Sequence, residues 1–368
     1  MFINKTEKEN ILKPLQVVIG IVERKQTLPI LSNVLIEKEA NKIRFTATDL
    51  EIQITTSINN ISSNNEIYAI TLGGKKIQDI LRILPDQSLV SIETKENKAI
   101  IKSNKSKFTL QTLPPQDFPK LSDQLDKTNK IILSQNKLKK LLESVQYAMA
   151  HQDVRYYLNG VLIIVENKKL KVVATDGHRL AYNESEIEDT LGKIETILPR
   201  KAVIEICKLL NNTEELVELE FAPQQVKASF SEIVLITKVI EGKFPDYERV
   251  IPKYSNQLKM NRVFIQQALQ RAAILSNEKF RGVRFVLTEK NMSIISSNSE
   301  QEEAQEEIET EYHGDVLDIG FNVNYLLDGI NNIDDDSVIL SFGDPNSSIL
   351  ITNPANADFR YVVMPMRI

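Results

Sequence analysis

The chain repeats itself. Thr27–Ile54 lies over Val154–Ala181 without a gap, at a constant offset of 127. Along that alignment Leu31, Val34, Leu35, Ala47, Thr48 and Asp49 meet Leu158, Val161, Leu162, Ala174, Thr175 and Asp176. A fainter third copy follows at an offset of 122, where Phe280, Gly282, Val283, Phe285, Ile294 and Asn298 fall on Leu158, Gly160, Val161, Ile163, Val172 and Asp176. A period near 125 residues in a chain of 368 makes three units of ordinary domain size, each able to bury its own core. The expected domains are 1–127, 128–254 and 255–368.

Each third reads alike. It opens with an amphipathic helix, and Thr6-Glu7-Lys8-Glu9 reads as a capping box for the first. Ile11, Leu12, Leu15, Val18 and Ile19 keep helical spacing, with Pro14 expected to kink or shorten the helix. Ser134 is placed to cap the second helix, whose apolar face is Leu138, Leu141, Leu142 and Val145; Asn261 is placed to cap the third, with Phe264, Ala268, Leu269 and Ala272. Hairpins follow, such as Val161–Val165 and Leu170–Ala174 around Glu166-Asn167-Lys168-Lys169. A second helix comes next in each third, at Lys75–Leu84, Arg200–Leu210 and Asn322–Ile333, and short strands close the unit. The fold class is α+β: three similar two-helix domains built on antiparallel sheet.

Catalytic chemistry is missing. His151, His178 and His313 occupy different parts of the repeat and have no metal-ligand spacing. Asp176 and His178 suggest acid–base work, but Asp49 in the first third has no histidine near it, and an Asp capping its own turn explains the pattern. Gly73-Gly74-Lys75-Lys76 lacks P-loop spacing. The single Cys207 sits on an apolar helix face and reads as core. No metal or cofactor is expected. Nothing in the chain has the length of a membrane span, and Met1–Glu7 has no apolar signal core, so a cytoplasmic protein is expected.

Charge is uneven. The thirds carry +3, 0 and −8, within a net −5. Such polarity suits head-to-tail contact between copies. The acidic run Glu300, Glu302, Glu303, Glu306 and Glu307 is expected to approach Lys102, Lys105 and Lys107 of another subunit, with Phe108 and Leu110 meeting Ile274 and Leu275 at the apolar centre. Basic residues recur on helices of the first two thirds: Lys8, Lys13, Lys75, Lys76, Arg82, Lys137, Lys139, Lys140, Arg200, Lys201 and Lys208. They are either ordinary solvated faces or one shared surface suited to phosphates.

Longer strings are more specific. They include Thr27-Leu28-Pro29-Ile30-Leu31, His151–Gly160, Thr175–Ala181, Phe244-Pro245-Asp246-Tyr247, Ala273–Arg284 and Tyr361–Arg367. Together they make the whole chain resemble the bacterial β sliding clamp family, the processivity subunits of replicative DNA polymerase. The resemblance implies a head-to-tail homodimeric ring of the DNA clamp fold, with helices lining the hole and sheets outside. It implies sequence-independent duplex DNA as ligand and no enzymatic activity. The implied partners are the replicative polymerase catalytic subunit, an ATP-driven clamp loader, and other polymerases and repair proteins. Resemblance and charge nominate Lys25, Gln152, Tyr156, Tyr157, Arg200 and Lys201 for DNA phosphates, with Lys75 beside them. A partner-peptide pocket is implied at Leu158, Thr175, Gly177, His178, Arg179, Leu180, Pro245, Arg249, Val250, Val363, Met364, Pro365, Met366 and Arg367. Its methionines suit several ligands, and its arginines offer donors to peptide carbonyls. Departures from the family pattern are Ile368, often Leu, and Lys25, often Arg. An enzyme using the Thr175–Arg179 turn and a peptide-binding scaffold that does not encircle DNA are the competing readings.

Overall fold

Strand pairing, more than helix packing, organises the chain. The computed structural model describes residues 3–23, 28–39, 42–59, 68–126, 128–189 and 192–367, and Lys25 and Ile368 lie outside them. The first third contains β1 (Ile3–Glu7), α1 (Glu9–Val18), β2 (Asn33–Lys38), β3 (Lys42–Thr48), β4 (Ile52–Asn59), β5 (Tyr68–Gly73), α2 (Gly74–Ile83), β6 (Leu89–Lys95), β7 (Lys98–Ser103) and β8 (Ser106–Gln111). The second contains β9 (Asn129–Ser134), α3 (Gln135–Gln146), β10 (Gly160–Glu166), β11 (Lys169–Thr175), β12 (Arg179–Glu186), β13 (Ile194–Pro199), α4 (Arg200–Leu209), β14 (Leu216–Phe221), β15 (Gln225–Phe230) and β16 (Ile233–Lys238). The third contains β17 (Asn256–Asn261), α5 (Arg262–Ile274), β18 (Gly282–Thr288), β19 (Asn291–Ser297), β20 (Glu303–Glu309), β21 (Leu317–Asn322), α6 (Val323–Asn331), β22 (Ser337–Phe342), β23 (Ile349–Asn353) and β24 (Asn356–Val363). The element order is the same three times.

The chain divides into two compact units, Met1–Lys137 with Ile204–Val239, and Leu138–Val203 with Ile240–Ile368. Within the first, one sheet runs β5-β2-β3-β4-β16-β15-β14-β9 and another β1-β6-β7-β8. Within the second, one runs β13-β10-β11-β12-β24-β23-β22-β17 and another β20-β19-β18-β21. Strands from different thirds therefore share a sheet: β4 pairs with β16 from Thr56↔Ile233 to Ile52↔Thr237, and β12 with β24 from Arg179↔Val363 to Tyr182↔Arg360.

Local signals place most elements. Lys137 N–H donates to Ser134 Oγ at 3.3 Å and Phe264 N–H to Asn261 Oδ1 at 3.1 Å, so both expected caps form. The β10–β11 hairpin turns on Asn167 and Lys168, both left-handed at φ 51° and 60°, matching the twist that two-residue hairpins require. Leu138, Leu141, Leu142 and Val145 are buried, as is Cys207.

Three local expectations fail. Each third opens with a strand, not a helix, because β1, β9 and β17 are claimed by β6, β14 and β22. The capping box does not form: Thr6 lies in β1, and α1 starts at Glu9 without a side-chain cap. Pro14 lies inside α1, which continues to Val18 and into a 3-10 turn at Ile19–Ile21. Ala268, Leu269 and Ala272 of α5 are buried as expected, but Phe264 is 67% exposed and its neighbour Ile265, fully buried, takes its place on the apolar face. Lys8 also leaves the expected basic surface. It is buried, and its Nζ donates to the Leu84 carbonyl at 2.8 Å and to Asp86 at 2.9 Å. A cation there satisfies the carbonyl that follows the last turn of α2.

Candidate functional site

The repeated Thr-Asp turn has one geometry in the first two thirds. Thr175 Oγ1 donates to the Arg179 carbonyl at 2.6 Å and accepts from Gly177 N–H at 3.0 Å. Asp176 Oδ1 accepts from His178 N–H at 2.9 Å and Arg179 N–H at 3.0 Å. In the first third Thr48 bonds Ile52 O and Leu50 N–H, and Asp49 Oδ1 accepts from Glu51 and Ile52 N–H. In the third, Asn298 Oδ1 accepts from Glu300 N–H at 2.9 Å and from Glu302 N–H at 3.0 Å, one residue further on. The carboxylate of Asp176 is consumed: Oδ1 caps the turn and Oδ2 accepts from Arg179 Nε at 3.1 Å. Asp176 thus serves as the turn cap that the sequence suggested, with Arg179 on its other oxygen.

Arg179 is held on every side. Nη1 pairs with Asp328 of α6, Nη2 donates to the Tyr147 carbonyl at 2.7 Å, and the guanidinium lies 4.4 Å from the centre of the Tyr325 ring. Burial works against its charge, but Tyr361, Asp328 and Asp176 outweigh that and raise its pKa. Arg179 therefore fixes the turn against α6 while still lining the neighbouring cleft. Arg200 lies close by, its Nη1 donating to Met149 O at 3.2 Å, with its pKa lowered by burial and then by Arg179. Together with Tyr147, His151, Gln152, His178 and Tyr325 these arginines line a cleft of about 470 Å³. Gln152 and Arg200, nominated for DNA, thus open onto the same cleft as His178 and Arg179, nominated for peptide.

The rest of the nominated pocket separates into floor and rim. Leu158, Leu180 and Val363 are at most 2% exposed, and Leu158 and Leu180 belong to a core that includes Leu162, Tyr182, Phe244, Tyr247 and Val362. They support the site from beneath. Pro245, Arg249, Val250, Met364 and Arg367 are exposed, and Pro365 and Met366 half-buried. Arg249 pairs with Asp246 at 2.7 Å. The tail leaves β24 beside the turn, with Met364 N–H donating to His178 O at 2.9 Å and Met366 N–H to Gly320 O at 2.8 Å. The C-terminal tail therefore flanks the strand–turn.

The other nominated residues differ in exposure and in partners. Tyr156 is 60% exposed, and half-buried Tyr157 meets it edge-on at 6.1 Å. Lys201 is half-buried on α4. Lys75 lines a cavity of about 870 Å³ with Leu110, Leu113, Pro29 and Asn33. Lys102 is bound within its own copy to Glu93 at 2.7 and 2.8 Å. Glu306 is bound to Arg271 at 2.6 and 2.9 Å, whereas Glu303 and Glu307 lie on the exposed face of β20. Lys105 and Lys107 are exposed, as are Glu300 and Glu302, the latter accepting from Asn298. Phe108 and Leu110 are half-buried, Leu275 likewise, and Ile274 is 75% exposed.

Sequence reasoning missed Asp328, Tyr325 and Tyr147. The first two carry a faint signal, being three residues apart on one face of α6. Among the described residues, no three His, Cys, Asp or Glu side chains are grouped to hold a metal, and no helix is long and apolar enough to cross a membrane.

Comparison with known proteins covers the same ground. Family models match end to end: DNA polymerase III beta subunit, N-terminal domain over residues 2–122, central domain over 132–246 and C-terminal domain over 248–367. The beta sliding clamp of Pseudomonas putida is 42% identical over 98% of this chain and 99% of its own, and that of Escherichia coli K12 is 39% identical over the same shares. The crystal structure of the DNA polymerase III subunit beta from Pseudomonas aeruginosa matches at a TM-score of 0.94 and 40% identity, covering 99% of both chains. The chain belongs to the DNA polymerase III beta subunit family, the non-catalytic beta sliding clamps that confer processivity.

Proposed function

We propose that two copies of the chain close head to tail around duplex DNA, and that this ring tethers DNA polymerase III to its template. One observation carries the reading. In each third the strand after the repeated turn is the fourth, and the closing strand is the eighth. The fourth strand of the first third, β4, pairs with the eighth of the second, β16; β12 pairs with β24 in the same way. Two strands are left over, β20 and β8, and both are free edges of four-stranded sheets among the described residues. An exposed edge is a template for pairing with another chain. The repeat rule makes β8 of a second copy the partner of β20, and the same contact at the other end closes a two-copy ring. Exposed Lys107 on β8 and exposed Glu303 and Glu307 on β20 supply matching charge. Ile274 has the exposure expected of an apolar anchor.

Duplex DNA then passes through without base readout, Gln152, Tyr156, Arg200 and Lys201 meeting phosphates. Partner segments carrying Gln and Leu or Phe anchors, from polymerases, the ATP-driven loader and repair proteins, dock against the Thr175–Leu180 turn and the Val363–Arg367 tail. The decisive experiment places the protein on closed circular duplex and then linearises it. Retention on the circle with loss from the linear form is expected; equal retention on both would exclude encirclement. Deleting Met364–Ile368 should abolish peptide binding while the dimer mass is unchanged, and an unaltered peptide affinity would sink the pocket.

A further inference from the structure

The internal repeats allow one position to be compared under three different neighbours. Leu50 and Gly177 are equivalent, and both adopt a left-handed backbone, at φ 78° and 89°. A side chain is thus tolerated at this conformation in the first third, and backbone freedom alone does not require glycine in the second. What differs is the residue above the turn. The offset of 127 puts Leu28 where Arg155 stands, and the offset of 122 puts Asn277 and Ser299 at the Arg155 and Gly177 positions. Only the second third has an arginine over a glycine.

Arg155 uses that space. Its Nε and Nη2 hold Asp153 Oδ1 and Oδ2 at 3.0 and 2.8 Å, and Nη2 also reaches the Asp176 carbonyl at 3.2 Å. A Cβ on Gly177 would stand 3.0 Å from both Nη1 and Nη2. The loop is tied at its other end as well, where Asn159 Oδ1 accepts from Asp153 N–H and Asn159 Nδ2 donates to Asp153 O. This loop carries Gln152, Tyr156 and Tyr157, while the Asp176–His178 turn belongs to the peptide site. With Asp153 beside it, the guanidinium is a neutralised latch and not a free cation.

We propose that Arg155 is a positioning residue that latches the 151–157 loop onto the Asp176–Gly177 turn, holding the loop's polar and aromatic side chains for duplex DNA. The inference rests on the reading that this loop faces DNA, and it joins the DNA surface to the peptide turn through a single side chain.

The test uses the full-length dimer, a short duplex titrated at several salt concentrations, and amide hydrogen exchange of the free protein. Arg155→Ala, Arg155→Lys and Gly177→Ala should each weaken duplex binding by about fivefold, the factor that one net hydrogen bond supplies. Lysine keeps the charge but has no fork to span two acceptors. The salt dependence should keep its slope in all three, because loss of a direct phosphate contact would lower it by about one. In Arg155→Ala the Asp153 and Arg155 amides should exchange faster. Wild-type binding by Arg155→Lys together with a reduced slope in Arg155→Ala would make Arg155 a phosphate contact and overturn the proposal. Unchanged exchange in Arg155→Ala would overturn the latch itself. Gln152→Ala separates the remaining failures. If it weakens duplex binding and Arg155→Ala does not, positioning is wrong; if neither matters, the loop does not face DNA and the reading beneath fails.

Discussion

Arg179 and Asp328 form an ion pair across 149 residues of chain, joining β12 to α6. The pair exists because β12 and β24 are neighbours in one sheet, which brings the third-domain helix over the second-domain turn. The arginine side chain is 11% exposed and the aspartate 42%.

Asp328→Ala should destabilise the protein by about 1–2 kcal/mol, less than a fully buried pair would lose because Asp328 is partly solvated and Arg179 keeps Asp176. Asp328→Asn retains an acceptor and should cost less. Urea denaturation of the two variants checks this, and equal midpoints for Asp328→Ala and the wild type would refute it.

Charge reversal should report the proposed sheet continuation. Lys107→Glu is expected to weaken the dimer by about 1 kcal/mol, near fivefold, at low salt. Adding Glu307→Lys should recover most of it. Lys102→Ala should leave dimer affinity unaltered, because Glu93 of the same copy already holds that lysine. Sedimentation equilibrium across salt concentrations measures all three.

Two neighbours in α5 should behave oppositely. Ile265→Ala removes a fully buried side chain and should cost about 2–5 kcal/mol. Phe264→Gln changes a side chain that is 67% exposed and should fall within about 0.5 kcal/mol of the wild type. A large loss at Phe264 would mean that another surface covers it.

The Arg155 bonds hold the Asp153 carboxyl at about 2, below its ordinary 3.8. Because the folded value is the depressed one, its contribution to stability is fully present above 3.8 and disappears as the pH falls through about 2. The latch is therefore intact throughout the neutral range. Carboxyl NMR should show Asp153 titrating near 2 in the wild type and back towards 3.8 in Arg155→Ala.

The sequence by itself determined whatever depends on near neighbours. The triplication and the hairpins show as repeated strings and strand–turn–strand patterns. The Ser134 and Asn261 caps and the Asp49, Asp176 and Asn298 turns use hydrogen bonds made within five residues. Each was legible because donor and acceptor sit at fixed spacings. Strand alternation was legible too, but its consequence was not: it turns Glu306 towards Arg271 and leaves Glu303 and Glu307 exposed. Tertiary structure alone decided which strand would lie beside which. That choice buried Lys8 against the end of α2, claimed Arg179 for Asp328, put Lys75 beside Leu110, and set Arg155 over Gly177. These partners are 22 to 149 residues apart, so no local spacing encodes them. Sheet pairing selects them, because a strand's backbone will accept any neighbour whose buried face matches, and only the assembled core settles which one it receives.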